Sequence, residues 1–319
     1  MFFDTIKTVQ HSKKIGGIQI ERILTYIAQT GDEGETIKSI LKRHFHMSTN
    51  LITSLKRDRD GITVNGAHRR VTYRLAEGDC LRITMYDSVS EHIVSAKMPL
   101  SIVYEDEDLL ILNKPPHLPT HPSMGNYDNT LANGVMYHWR SVGEERVFRP
   151  VNRLDKDTSG LMAVAKNAYT HARLCDQIKD GTLKRRYCAI VCGQLETGAV
   201  VDAPIRREAD SVIRRCVAPD GQRAVTHYNV VEALSGYTLL NLTLETGRTH
   251  QIRVHMAHIG HPLLGDWLYG TEDHTRFQRQ ALHSCYLELV HPISHRRMVW
   301  QAELPEDMRD FVLKYRRNS

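Results

Sequence analysis

The sequence lacks the features that would tie it to a membrane, an oxidising compartment or a disordered scaffold. No apolar run in its 319 residues approaches the roughly 18 needed to span a bilayer. The opening residues, MFFDTIKTVQHSKK, have no basic-then-apolar leader pattern. Cysteine is sparse: six, at positions 80, 175, 188, 192, 216 and 285, with no Cys-x-x-Cys. That spacing argues against a disulfide framework or a zinc knuckle and for reduced thiols in a cytoplasmic protein. Cys188 and Cys192 share strand parity, so packing on one face accounts for them. Internal repeats and low-complexity tracts are missing as well. So is strong charge imbalance, since 42 Lys+Arg against 37 Asp+Glu leaves +5. The resulting pI of about 8.8 lies below the footprint usual for nucleic-acid binders. Charge therefore permits a polyanionic partner without requiring one.

What is present suits a folded protein. Hydrophobic residues at 41% and charged residues at 25% are ordinary for a soluble globular chain. At about 150 residues per domain, the length predicts two domains. Residues 1–90 read as a small α+β module preceded by an N-terminal extension. Ile37, Ile40, Leu41 and Phe45 have helical spacing. Ser48 can cap a second helix through Leu51, Ile52 and Leu55. Asn65-Gly66 after a β-branched run predicts a hairpin, closed by a strand with Leu81, Ile83 and Met85. Lys56, Arg57 and Arg69 lie among the basic residues of this module, where phosphate contacts would be natural. A solvated face explains such charges equally well.

Residues 91–100 read as a linker and 101–319 as a second domain. SIVYEDEDLLILNKPP predicts two short strands around an acidic turn. Pro115, Pro116, Pro119 and Pro122 then enforce a rigid loop. A helix capped by Asn167 and stopped by Gly181 follows. Strands are expected at 183–192, 224–234, 236–246, 282–290 and 297–303. The class is α+β, with a mixed, mostly antiparallel sheet.

The densest chemistry lies between Pro150 and Lys166. An apolar strand there follows a loop carrying Arg153, Asp155, Lys156, Asp157, Thr158 and Ser159. Loops held by a rigid strand are where catalytic groups concentrate. On residue type alone, Asp155 is a nucleophile, a metal ligand or a structural cap.

Asn152-Arg-Leu-Asp-Lys-Asp-Thr-Ser-Gly160 resembles the His-Arg-Leu-Asp-x-x-Thr-Ser-Gly signature of the RluA-type pseudouridine synthases. Further blocks fall in that family's order. They are Asn113-Lys-Pro-Pro116 with His121-Pro-Ser123, Lys184-Arg-Arg-Tyr187, Gly247-Arg-Thr-His-Gln-Ile-Arg-Val-His255, Gly260-His-Pro-Leu-Leu-Gly-Asp266 and Gln280-Ala-Leu-His283. The match covers roughly 101–305. More weakly, the first module resembles the alpha-L RNA-binding domain first known from a ribosomal small-subunit protein.

The resemblance implies isomerisation of uridine to pseudouridine in structured RNA, ribosomal RNA ahead of transfer RNA; a monomer is expected, although no residue pattern specifies it. It assigns the catalytic carboxylate to Asp155, a partner cation to Arg248 and an aromatic face for the flipped uracil to Tyr187. RNA contacts fall to Arg153, Lys184 and His283, besides Lys56, Arg57 and Arg69. The reaction breaks N1–C1′, joins C5 to C1′ and removes H5. No electrons or phosphates change hands, so no cofactor and no metal are expected. The base must leave the helix stack. One departure stands out: the family's usual His is Asn152, which cannot titrate near neutral pH. Two rivals are a zinc site at His255, His258 and His261 with His250 nearby, and a synthase fold kept only for binding RNA. Gly260-His261-Pro262 breaks a helix there and weakens the first rival.

Overall fold

The computed structural model describes residues 20–87, 93–270 and 276–317. The N-terminal extension and the first two linker residues lie outside the described residues. The first unit comprises β1 (Ile20–Ile27), α1 (Ile37–Arg43), α2 (Thr49–Leu55), β2 (Ile62–Val64), β3 (Ala67–His68) and β4 (Cys80–Asp87). Its sheet order is β1-β4-β2-β3. Thr36 and Ser48 cap the two helices, accepting from Ser39 N–H at 3.2 Å and Leu51 N–H at 3.1 Å. Asn65 and Gly66 have φ of 51° and 80°, the pair of positive values that a two-residue type I′ hairpin demands. Ile37, Ile40, Leu41, Ile52 and Leu55 pack on Ile62, Leu81 and Ile83 as one buried cluster.

The larger unit runs through β5 (Ile102–Glu105), β6 (Leu109–Lys114), α3 (Leu131–Ser141), β7 (Arg149–Pro150), β8 (Ser159–Ala165) and α4 (Ala168–Lys179). It continues with β9 (Lys184–Cys192), β10 (Ala199–Asp202), β11 (Ile205–Arg207), β12 (Arg215–Val217), β13 (Val225–Ala233) and β14 (Tyr237–Leu244). α5 (Gln251–His258), β15 (Leu282–Val290), β16 (Arg297–Gln301) and α6 (Glu306–Tyr315) complete it. The main sheet has the order β10-β13-β14-β9-β15-β8-β6-β5, with β16 on β15 and β7 on β8. β11 and β12 form a separate hairpin. No described helix is long and apolar enough to cross a membrane.

Strand parity sorts the core. Leu110, Leu112, Met162, Val164, Tyr187 and Ala189 face α3 and α5, through Val135, Trp139, Ile252 and Met256. The alternate residues Leu109, Ile111, Leu161 and Ala163 face Leu174 of α4, and Ile190 faces Met308 and Phe311 of α6. Pairing is antiparallel throughout the main sheet except between β8 and β15, which run parallel with His283 opposite Ser159. That joint explains the glycine of Thr-Ser-Gly. Gly160 has φ of 112°, and a Cβ there would lie 2.3 Å from the Ser284 carbonyl oxygen.

The five long strands appear within a residue or two of their expected ends, and the first unit holds the two helices, hairpin and closing strand expected of it, with α1 (Ile37–Arg43) three or four residues shorter at each end than the helical segment 34–47. Strand β1 and helices α3, α5 and α6 were not anticipated. β1 hides behind an inward-facing cation. Arg22 is 8% exposed and docks the first unit on the second. Its Nε and Nη2 fork onto Asp108 at 2.8 and 2.6 Å, and Nη1 reaches Glu107 at 3.0 Å. Asn167, the α4 cap, donates to the same carboxylate at 2.8 Å. Tyr169 adds an O–H bond to the Phe45 carbonyl at 3.0 Å. Replacing Arg22 by Ala would leave Asp108 buried without its cation. The expected loss is about 3–5 kcal/mol, measured by chemical denaturation.

Candidate active site

The loop before β8 is held by its own carbonyls. Thr120 Oγ1 donates to Leu154 O at 2.7 Å, and Thr158 N–H donates to Asp155 O at 3.1 Å. Lys114 Nζ donates to Lys156 O at 2.9 Å, and Arg279 Nη1 donates to Asp157 O at 3.0 Å. Lys114 also donates to Pro115 O and Leu118 O, both at 2.9 Å, so one ammonium stitches the proline-rich loop to the Asp155 loop. Burial pushes the Lys114 pKa down to about 7, opposed by the charges of Asp157 and Asp155. His117 Nδ1 meets Asp157 Oδ1 at 2.9 Å on the outer side.

Asp155 looks into a cleft lined by Arg153, Leu154, Tyr187, Leu244, Arg248, His250, Arg253 and Leu282, among others. Its partner is Arg253, whose Nη1 donates to Asp155 Oδ2 at 3.2 Å. Arg253 is itself aimed by Asp266, which takes Nε and Nη2 at 2.7 and 2.8 Å. Asp266 is fully buried and accepts the N–H groups of Leu268 and Tyr269 as well. Burial opposes the charge of Arg253, but the hydrogen bond and charge of Asp266 outweigh it and raise its pKa. Tyr187 is 5% exposed and burial raises its pKa. Beside these, His250 Nε2 lies 3.8 Å from Asp155 Oδ2. Cation, aromatic ring and carboxylate thus converge where a base could enter.

Several expected residues take other places. Arg248 lines the cleft but is not the cation on Asp155. It precedes α5, and its Nε donates outward to the Arg223 carbonyl at 3.0 Å. The helix turns Arg253 inward instead. Lys184 is exposed opposite Glu288. By parity the inward cation of β9 is Arg185, 8% exposed and on the face of Tyr187 and Ala189. His283 is no surface contact. It is 2% exposed, bonds Ser159 through Nδ1 at 2.9 Å, and burial drops its pKa to about 4. Arg153 is exposed at the cleft. Lys56 and Arg57 follow α2 in the open, and Arg69 lies over the Tyr73 ring at 5.0 Å. Asn152 is buried, with Oδ1 accepting the Ala163 N–H at 2.9 Å.

The three histidines do not converge on one point. His255 bonds Thr226 and the Ala203 carbonyl, each at 2.9 Å, and His261 bonds the Cys192 carbonyl at 2.9 Å. Among the described residues, Asp106, Asp108 and His291 do cluster, yet Asp108 already carries Arg22 and Asn167.

Residues 108–258 match the family described as RNA pseudouridylate synthase. An RNA pseudouridine synthase of Bacillus subtilis (strain 168) is 44% identical over 268 residues, covering 83% of this chain and 94% of that protein. The chain belongs to the RluA-type pseudouridine synthases. It is thus an isomerase acting on RNA. The ribosomal large subunit pseudouridine synthase D of Zymomonas mobilis is 42% identical, covering 81% of this chain and 89% of that one. Among solved structures, human RNA pseudouridylate synthase domain containing 1 aligns with a TM-score of 0.54 and 27% identity. That alignment covers 64% of this chain and 83% of the human one.

In this synthase the two arginines of one block can be told apart by experiment. Arg253→Lys keeps the charge but loses the fork that spans two carboxylates. Its single-turnover rate is expected to fall about 100-fold, the order of the electrostatic and positioning contributions seen at active sites. Arg248→Ala should lose less than about tenfold, one hydrogen bond's worth. Equal losses would undo this assignment.

Proposed function

We propose that this synthase isomerises uridine in ribosomal RNA, of the large subunit ahead of transfer RNA, with the Asp155 carboxylate as its catalytic group. One observation carries the reading: a carboxylate on a four-point tethered loop, facing Arg253 beside Tyr187. Ribosomal RNA is favoured because relatives from Zymomonas mobilis and Escherichia coli (strain K12) are named as ribosomal large subunit synthases, at 42% and 43% identity.

The chemistry follows from what the groups can do. A flipped uridine enters the cleft, and Arg153 at the rim takes its phosphate or fills its place in the stack. Tyr187 offers a ring face to the uracil, with Leu244 and Leu282 as apolar walls. Asp155 attacks the ribose or the uracil, or stabilises the separated pair, as N1–C1′ breaks. The base turns, C5 joins C1′, the C5 proton leaves and N1 gains one, so the product is an isomer. Arg253 holds the carboxylate aimed. Arg248 at the mouth serves the RNA backbone. Lys184, Lys56, Arg57 and Arg69 supply further exposed cations for RNA phosphates, and residues 1–90 act as an RNA-binding domain joined through 91–100 to the catalytic domain, 101–319. The enzyme acts as a monomer in the cytoplasm.

The test is tritium release from RNA labelled at uracil C5, prepared from cells lacking the gene. Wild type should release tritium from ribosomal RNA, and Asp155→Asn should fall to background while still binding RNA. Release by the variant at the wild-type rate would remove Asp155 from its role. Absence of release by the wild type would favour a protein that only binds RNA.

A further inference from the structure

His250 has no role in the assignments above, yet it sits at an unusual point. It occupies the N-cap position of α5 with φ of 58° and ψ of 17°, and its side chain makes no capping bond. Left-handed backbone is unfavourable for a residue bearing a Cβ. Such conformations cluster at functional sites when surrounding structure enforces them. Here Nδ1 lies 2.8 Å from Tyr269 Oη, while Nε2 faces Asp155 Oδ2 at 3.8 Å. Tyr269 Oη already accepts the Arg215 N–H at 2.9 Å. Its own proton is then free to point at His250 Nδ1. Burial lowers the pKa of His250, against the pull of Asp155, and a ring that accepts from Tyr269 at Nδ1 carries its proton on Nε2.

We infer that His250 is a positioning residue for Asp155, held by Tyr269 in the Nε2–H tautomer so that its N–H and Arg253 together engage Oδ2 and leave Oδ1 for the substrate. The inference rests on the proposed role of Asp155. The 3.8 Å separation is longer than a formed hydrogen bond, and such contacts tighten when substrate closes a site. Tyr269 is well placed for this. Its ring lies 5.1 Å from the guanidinium of Arg253, its backbone N–H is fixed on Asp266, and its hydroxyl meets β12. The chain from Arg215 through Tyr269 and His250 thus links the arginine-bearing hairpin to the carboxylate.

The test compares wild type, Asp155→Asn, His250→Gly, Tyr269→Phe and the His250→Gly/Tyr269→Phe pair. Single-turnover tritium release, RNA Kd and melting temperature are measured for each. Glycine takes a positive φ without steric penalty, which offsets part of the lost Tyr269 hydrogen bond, so His250→Gly should stay folded and melt within a few degrees of wild type. Its Kd should hold within about twofold, while its rate falls by at least about tenfold, the share of one hydrogen bond to a charged group. Tyr269→Phe should lose rate in the same direction, and the double variant should be no slower than His250→Gly, because one residue acts through the other. A wild-type rate for His250→Gly, or additive losses in the pair, overturns the inference. If Asp155→Asn is then still inactive, the role of Asp155 survives. Retained release by Asp155→Asn overturns both.

Discussion

Four consecutive carbonyls, those of residues 154 to 157, are each taken by a different donor, and the site depends on that tether. The donors come from the proline-rich loop, from the Asp155 loop's own turn, from the end of β6 and from the segment before β15. A loop on a sheet rim would ordinarily leave its carbonyls to water and wander. Here the backbone on both sides of Asp155 is satisfied by protein, so the carboxylate starts from one position. This also explains a lysine that is 1% exposed. Lys114 has three carbonyls for its three protons, and two nearby carboxylates restore part of what burial takes from its charge. Its burial is tolerable because every donor is used.

The second constraint is the chain of charges from Asp266 through Arg253 to Asp155. Asp266 is fully buried and would be costly alone. The Arg253 fork neutralises it and leaves one nitrogen for Asp155. Arg253 therefore cannot follow the Asp155 carboxylate if that group moves, and the cost of bending toward the cleft falls on Asp155. A partner fixed before the reaction stabilises charge without reorganising during it.

Much of this was legible in the residues, for physical reasons that differ by element. The hairpin at Asn65-Gly66 is dictated by its two positive φ values. The strand alternation of β9 put Tyr187 with Ala189 and Val191 on the face that packs in the first core. The same alternation, applied strictly, points to Arg185 rather than Lys184 as the inward cation. Arg248 and Arg253 could not be separated that way. Their block straddles a loop and a helix of eight residues, and only the left-handed turn at His250 decides which arginine faces in. Strand β1 stayed hidden because Arg22 occupies a core-facing position, a pattern that makes sense once Asp108 is beside it. Helix α3 was masked by Asn133 and Gly134. The first turns out to complete a capping box with Thr130. The second gives room to Met98, whose side chain would lie 2.5 Å from a Cβ at that position.

The one departure from the family signature falls where it does least to the chemistry. Asn152 does not line the cleft. It is 5% exposed, and its Oδ1 accepts the Ala163 N–H, fastening the start of the loop to β8. A neutral imidazole can offer an acceptor nitrogen to the same N–H, so what the position asks for is an acceptor on a short side chain and not a titrating group. The amide nitrogen of Asn152 is left without a partner, a penalty in stability that stays within the loop's anchor. Reading the substitution as loss of catalysis would require it to move Asp155. The tether runs through Leu154, Asp155, Lys156 and Asp157 instead, and every one of those bonds is made by a residue other than Asn152.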